Sequence, residues 1–330
     1  MDGIRLSRRE TLQSGAAMAA SLALAGCLDR IPVIGSGPAP AVGPVPATAT
    51  AFATVDVAGL LDSEPLRGLL DDSVPLTDID GLAVTAEQAL GLDPREIERA
   101  VGFVTPAEDV AGGVIDVDWS TDDLVSAIEA QNGESTETTV AGRSAYTFEA
   151  IGLTVGTLED GRHVAGTGGG ARAIVETDAG STDSVRPAVR RAYGHVPSGP
   201  VKFAIDATAA SDRTVETITR DLPRFSRDVV DSIRFVAGSL STVDARPRIV
   251  VEVTGDDGTG ARQLKEYAEA IPALLRQRVD DESIGDALEE AEVSRDGRRV
   301  TISLEGEETI QPLVSAVFEQ VFVFALPLLR

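Results

Sequence analysis

Apolar and polar residues alternate with a period of two over Phe52-Ala53-Thr54-Val55-Asp56-Val57, which predicts a strand at the start of the folded region. The period then lengthens. Leu60, Leu61, Leu66, Leu69 and Leu70 fall at helical spacing, as do the residues from Thr85 to Leu90. Asp93-Pro94-Arg95-Glu96-Ile97 reads as a helix start, because the fixed φ of proline suits the first helical position. Ala100 to Val104 and Gly113 to Trp119 read as strands. Ser120 or Thr121 then caps a helix whose apolar stripe is Leu124, Val125 and Ile128, with Asp122 and Asp123 at its positive end. Strand alternation continues over Thr138 to Phe148 and Leu153 to Leu158. Asp160-Gly161 marks a hairpin turn, His163 to Ala165 returns from it, and Ala171 to Thr177 forms a short helix.

A related series recurs downstream. Phe203-Ala204-Ile205-Asp206 echoes the opening strand, Val250-Val251-Glu252-Val253 echoes Val114-Ile115-Asp116-Val117, and Asp296-Gly297-Arg298-Arg299-Val300 echoes Asp160-Gly161-Arg162-His163-Val164. A helix-like stretch, Ile271 to Val279, stands where the first series has its strand at Thr138 to Phe148. Hairpins are evident and regular β-α-β alternation is missing. The expected fold is therefore α+β, with two pseudo-repeated halves, each an antiparallel or mixed sheet with helices packed on one face. The halves are expected at 52–185 and 196–330, with a Pro-rich connection between them.

The start of the chain carries a different pattern. Ser7-Arg8-Arg9-Glu10-Thr11-Leu12 precedes small apolar residues from Gly15 to Gly26, which end in Leu24-Ala25-Gly26-Cys27. The apolar run falls short of the ~20 residues a membrane span needs. This order resembles the signal of a twin-arginine-exported lipoprotein, with Arg8 and Arg9 as the export pair. The resemblance implies cleavage before Cys27, lipid on its sulfur, and anchorage at the outer face of the cytoplasmic membrane. It divides the chain into a signal segment at 1–26 and a lipid-bearing tether at 27–51. From Ile31 to Ala51 that tether is rich in Pro, Ala and Gly and has no periodicity.

Composition narrows the rest. The net charge is −24, and Lys202 and Lys265 are the only lysines, the other basic residues being arginines. An acidic, arginine-over-lysine surface resembles proteins of extreme halophiles, and the body resembles haloarchaeal envelope proteins. Self-repulsion of such a surface is screened by salt. The same field argues against a nucleic-acid partner, which needs a basic footprint. Cys27 is the only cysteine and His163 and His195 the only histidines, which speaks against disulfides, a thiol nucleophile, zinc or iron–sulfur centres. No cofactor is expected.

Candidate chemistry is sparse. Gly166-Thr167-Gly168-Gly169-Gly170-Ala171 partly fits a phosphate-cradling turn, but the preceding strand comes from a hairpin and no β-α-β unit surrounds it, so a helix entry is the preferred reading. The second series has Glu305-Gly306-Glu307-Glu308 nearby, which would repel an anion. Asp116, Asp118, Ser120 and Asp122 could align oxygens for calcium. Thr121 and Ala127, however, stand where a calcium loop needs glycine and glutamate. Asp256-Asp257 and Asp280-Asp281-Glu282 read as acidic surface. His163 could act as a general base. His195 lies in the connection between the halves, and no Gly-x-Ser-x-Gly or Ser-x-x-Lys sequence accompanies either histidine. Trp119 is expected to pack in the core or at an edge, and the apolar residues 313–329 to form a buried helix rather than a membrane-touching segment.

No catalytic, cofactor or metal residue is assigned on this reading. The expected function is a non-catalytic interaction or structural module of the cell envelope. Its partners would be membrane lipid through Cys27 and an envelope protein. A transporter's solute receptor is the alternative, with a small-molecule ligand enclosed between the halves. A hydrolase with a spatially assembled site is the third reading.

Overall fold

The computed structural model describes residues 42–71, 91–105, 108–209, 227–275 and 290–311, together with positions 81, 84, 87 and 88. The helix expected from Thr85 to Leu90, Asp280 to Glu282, Cys27, the arginine pair and the apolar residues 313–329 lie mostly or wholly outside these residues.

Among the described residues, twelve strands form one sheet. They are β1 (Ala51–Asp56), β2 (Arg99–Thr105), β3 (Val110–Asp116), β4 (Thr136–Val140), β5 (Arg143–Phe148), β6 (Leu153–Glu159), β7 (Arg162–Thr167), β8 (Val201–Asp206), β9 (Ile233–Val243), β10 (Arg246–Gly255), β11 (Glu292–Asp296) and β12 (Arg299–Glu305). Their spatial order is β11-β12-β10-β9-β8-β1-β2-β3-β7-β6-β5-β4. Every pairing in it is antiparallel. The α+β class therefore holds. The strands of the two expected halves, however, join through β1 and β8 into a single sheet.

Among the described residues the helices with defined bounds are α1 (Val57–Asp62), α2 (Glu64–Asp71), α3 (Thr121–Asn132), α4 (Gly170–Asp178), α5 (Pro187–His195), α6 (Arg227–Asp231) and α7 (Gly258–Leu275). The sequence reading placed helices on one face, and here the structure corrects it. In β1, Phe52 faces α4 and α5, sharing a core with Val101, Val114, Val164, Ile174, Val189 and Tyr193. Val55 points the other way, toward Leu60, Leu61 and Leu66 of α1 and α2. Val125 of α3 packs on Phe148 and Val155, and Ala261 and Leu264 of α7 pack near Val300. The central strands are apolar on both sides, and a sheet of that kind must be covered twice.

Local signals account for many element ends. Ser120 caps α3 by accepting from the Asp123 amide. Asp56 accepts from Gly59 N at the start of α1, and Asp257 accepts from Gly260 N at the start of α7. Asp93-Pro94 does nucleate a turn, but a short 3-10 one at Pro94–Glu96.

Two segments depart from their sequence reading. Residues 42–50, taken as the end of the tether, lie on the domain: Pro46 bridges to Ser184, Val185 N donates to Val45 O, and Val45 and Ala49 are buried. Their apolar contacts are too few and irregular to show a period. The connection between the halves is itself the helix α5, whose Val189, Ala192 and Tyr193 are buried. Pro187 stands at its first turn, where a proline starts a helix rather than breaking one.

The repeat can be examined strand by strand. β1-β2-β3-β7-β6 and β8-β9-β10-β12-β11 follow the same spatial order outward from the seam. The residue echoes fall on corresponding strands, and Val114 and Val250 share a face, but the other two are out of step by one residue. Phe52 pairs with Ala204 and Ala53 with Phe203, so Phe52 and Phe203 sit on opposite faces. The β6–β7 turn is Asp160-Gly161, between Glu159 and Arg162, whereas the β11–β12 turn is Gly297-Arg298, between Asp296 and Arg299.

The β9–β10 hairpin turns through Asp244 and Ala245, both left-handed at φ 50° and 58°. Such a two-residue turn favours glycine at its second position, because a Cβ there costs about 1–2 kcal/mol. Ala245→Gly is expected to stabilise the protein by about 0.5–1 kcal/mol after the entropy of the unfolded glycine is subtracted. A thermal midpoint that falls in this variant would contradict the assignment of the turn.

Candidate functional site

The residues singled out from the sequence are dispersed and mostly occupied by the fold. His163 lies on β7, 2 % exposed. Its Nε2 lies 2.8 Å from Trp119 O, so it donates there, which leaves Nδ1 to accept from Thr157 Oγ1 at 3.3 Å. Thr157 Oγ1 is also hydrogen-bonded to Thr121 Oγ1. Nε2 thus ties β7 to the entry of α3 directly and Nδ1 does so through Thr157 of β6, and neither faces solvent as a general base would. Trp119 is half-buried and its indole N–H donates to Glu96 Oε2 at 2.6 Å.

The glycine-rich turn is a packing device. Gly169 caps α4 in the left-handed conformation, at φ 95°. Gly170 lies so close to β3 that a Cβ would fall 1.9 Å from Ala111 O, and one on Gly166 would fall 2.3 Å from Ala171 N. The glycines let the helix lie on β3 and β7, so the backbone space that a phosphate would need is filled by protein. The alternate aspartates separate as well: Arg99 holds Asp116 at 2.6 Å with Arg162 at 3.4 Å, and Ser120 is the α3 cap. Among the described residues, no group of three or more His, Cys, Asp or Glu is placed to hold a metal ion.

His195 has a different setting. It ends α5, which crosses the sheet face shared with α4. On the C-terminal strands this face is polar: Lys202, Asp206, Ser239, Ser241, Glu252 and Ser303 are all buried. The apolar periodicity that fills the core elsewhere is broken here by short polar side chains. A cleft of about 370 Å³ opens between α5 and this face. Ala188, Arg191, Ala192 and His195 recur at helical spacing and form its wall. Its floor is a cross-strand row of Phe235, Thr254, Arg299 and Asp296, closed at one end by the Gly297-Arg298 turn.

Charge in the cleft runs against the composition of the chain. Glu252, two residues before Thr254 and on the same strand face, is 7 % exposed. It lies against two of the lining side chains, with Oε1 3.4 Å from His195 Nδ1 and Oε2 3.6 Å from Arg299 Nη1, and Oε1 has no hydrogen-bond partner among the described residues. Asp296 also takes Arg299, at 2.8 Å. Arg298 donates to Asp256 O at 3.2 Å. Among the described residues no hydrogen bond or ion pair engages the exposed guanidinium of Arg191.

Beside the cleft, at the seam between β1 and β8, Lys202 is 1 % exposed. Its Nζ donates to Val196 O at 3.2 Å and lies 4.3 Å from the centre of the Tyr193 ring. Burial lowers its pKa from the usual lysine value. Tyr193 shares a 2.6 Å hydrogen bond with Thr54, and burial raises its phenol. Asp206, buried at the end of β8, pairs with Arg186 at the entry of α5 and accepts from Thr208 N.

Sequence reasoning singled out His195 but missed the group around it. Arg190-Arg191 and Arg298-Arg299 are adjacent arginine pairs in an acidic chain, and that signal was available. Only the register of β10 with β12 and the placement of α5 show that one member of the first pair and both members of the second meet.

No family model matches the chain, and no curated protein matches it. Among solved structures the chain is similar in fold to TP0453. Crystal form III of that protein gives a TM-score of 0.50 at 12 % identity, over 85 % of this chain and 99 % of TP0453. Crystal forms I and IV give 0.43 and 0.46, at 12 % and 10 % identity. At this identity the likeness concerns the fold alone.

Proposed function

We propose that this chain is an exported envelope module, held at the outer face of the cytoplasmic membrane by lipid on Cys27 and acting by binding rather than by catalysis. The observation that carries the address is the Arg8-Arg9 pair followed by Leu24-Ala25-Gly26-Cys27. The Pro-, Ala- and Gly-rich composition after Cys27 supports a tether between the lipid and the folded body. One short acyl chain anchors only marginally, so stable attachment calls for two.

The non-catalytic reading is supported by His163, whose two ring nitrogens are occupied by the fold, and by the separation of the alternate aspartates. The shared outward order of β1-β2-β3-β7-β6 and β8-β9-β10-β12-β11 supports a body of two related halves that diverged in register and turn. A solute receptor is the second reading, and the cleft beside α5 is the observation in its favour.

The tether is tested by expressing the full chain and its Cys27→Ala variant in a halophilic host. The expected wild-type product sediments with membranes and shows a lipid-modified Cys27 at its amino terminus in mass spectrometry. The variant is expected in the exported soluble fraction. An unprocessed amino terminus with a free thiol, or a variant that stays with the membranes, would overturn the proposal.

A further inference from the structure

We infer that the cleft between α5 and the C-terminal strands binds a small organic oxyanion, a carboxylate or phosphate ester carrying an apolar group. The inference depends on neither the lipid nor a transporter.

Three features converge on it. The chain carries a net charge of −24, yet Arg191, Arg298, Arg299 and His195 line one cleft, against Asp296 and the underlying Glu252. Asp296 and Glu252 lie against Arg299 and His195, and among the described residues no carboxylate pairs with Arg191. A guanidinium is a planar fork suited to two oxygens of a carboxylate or phosphate.

The second feature is pre-organisation. Glu252 is buried at ion-pair distance from both His195 and Arg299, which draws wall and floor together before any ligand arrives. The third is the remainder of the lining. Phe235 lies on the floor, while Ala188 and Ala192 on the helix leave room above it. A ring or short chain attached to the oxyanion would cover that apolar surface, and about 370 Å³ lies within the usual range for small-ligand sites.

Titration of the full chain in molar KCl with phenyl phosphate, benzoate and inorganic phosphate tests the proposal, with calorimetry and thermal midpoint as readouts. Phenyl phosphate or benzoate is expected to bind and raise the midpoint, and inorganic phosphate to bind more weakly. Arg191→Gln is expected to weaken binding at least about tenfold, since a charge-assisted hydrogen bond is lost. Arg298→Gln is expected to weaken it by less. Arg172→Gln, on the exposed side of α4, serves as the control and is expected to change nothing. Arg191 and Arg298 are both exposed, so loss of folding does not confound the result. Absence of binding by all three anions overturns the inference, as does undiminished binding in Arg191→Gln or equal weakening in Arg172→Gln. Inorganic phosphate binding as tightly as phenyl phosphate would overturn the apolar part of the specificity.

Discussion

Gly170→Ala is expected to destabilise the protein by upwards of about 3 kcal/mol, enough to deplete the folded state of a marginally stable chain. One methyl group causes this because it has nowhere to go. The added Cβ would meet Ala111 O at 1.9 Å and Ala111 C at 2.6 Å, both backbone atoms of a central strand. Relief would require α4 to lift from β3 and β7, which would open the core formed by Ala171, Ile174 and Val175. Gly180→Ala, at φ 69° with open space around it, isolates the conformational cost and is expected to lose only about 1 kcal/mol. Chemical denaturation of the two variants checks the contrast. If both lose the same small amount, the turn is a flexible helix entry and the close approach does not constrain it.

Lys202→Met is expected to move stability in the opposite direction, raising it at neutral pH by on the order of 1–2 kcal/mol. The ammonium is buried with one hydrogen bond and one aromatic face to replace its water, and methionine fills a similar volume without that cost. The pH dependence carries the sign. Burial lowers the folded pKa of Lys202, so the folded state releases its proton at a pH where the unfolded chain, with a lysine pKa near ~10.4, still holds one. Wild-type stability therefore gains as pH rises from the lowered value toward the unfolded one. Tyr193 opposes this at the top of the range. Its raised pKa keeps the phenol protonated in the fold, so stability falls once the unfolded tyrosine ionises above ~10. In the methionine variant the rising limb disappears and the falling limb remains. A denaturation series across alkaline pH with identical slopes in both proteins would show that Lys202 is solvated in the native state.

What the sequence made legible was local. The cap at Ser120, the helix from Gly170 and the turn at Asp160-Gly161 each rest on interactions a few residues apart, and they were found or nearly so. One strand was expected from Thr138 to Phe148. It is a hairpin, because Ala141 and Gly142 turn at φ 47° and 85°, and alanine gives no warning of such a conformation. Long-range placement was less accessible. Nothing in the alternation of β1 says that its two faces are covered by different helices, or that its second edge is taken by β8. The cleft depends on that same information: Arg191 and Arg299 are distant in the chain and meet only because α5 crosses the sheet. The polar residues under it, Ser239 and Glu252 among them, look like solvent-facing strand positions until the register buries them.

The seam has a bearing on biosynthesis. β1 is among the first segments of the body to leave the ribosome and pairs early with β2, yet its other edge meets β8, Ala51 opposite Ile205, only after the whole N-terminal set of strands has been made. Until β8 emerges, the nascent chain carries an open strand edge in the middle of its eventual sheet. Contacts so remote in sequence close slowly, and an exposed edge awaiting its mate can pair with another chain. Synthesis that stalls before Val201 would therefore leave a species prone to aggregation, while translation past Asp206 lets the chain shield that edge with its own backbone.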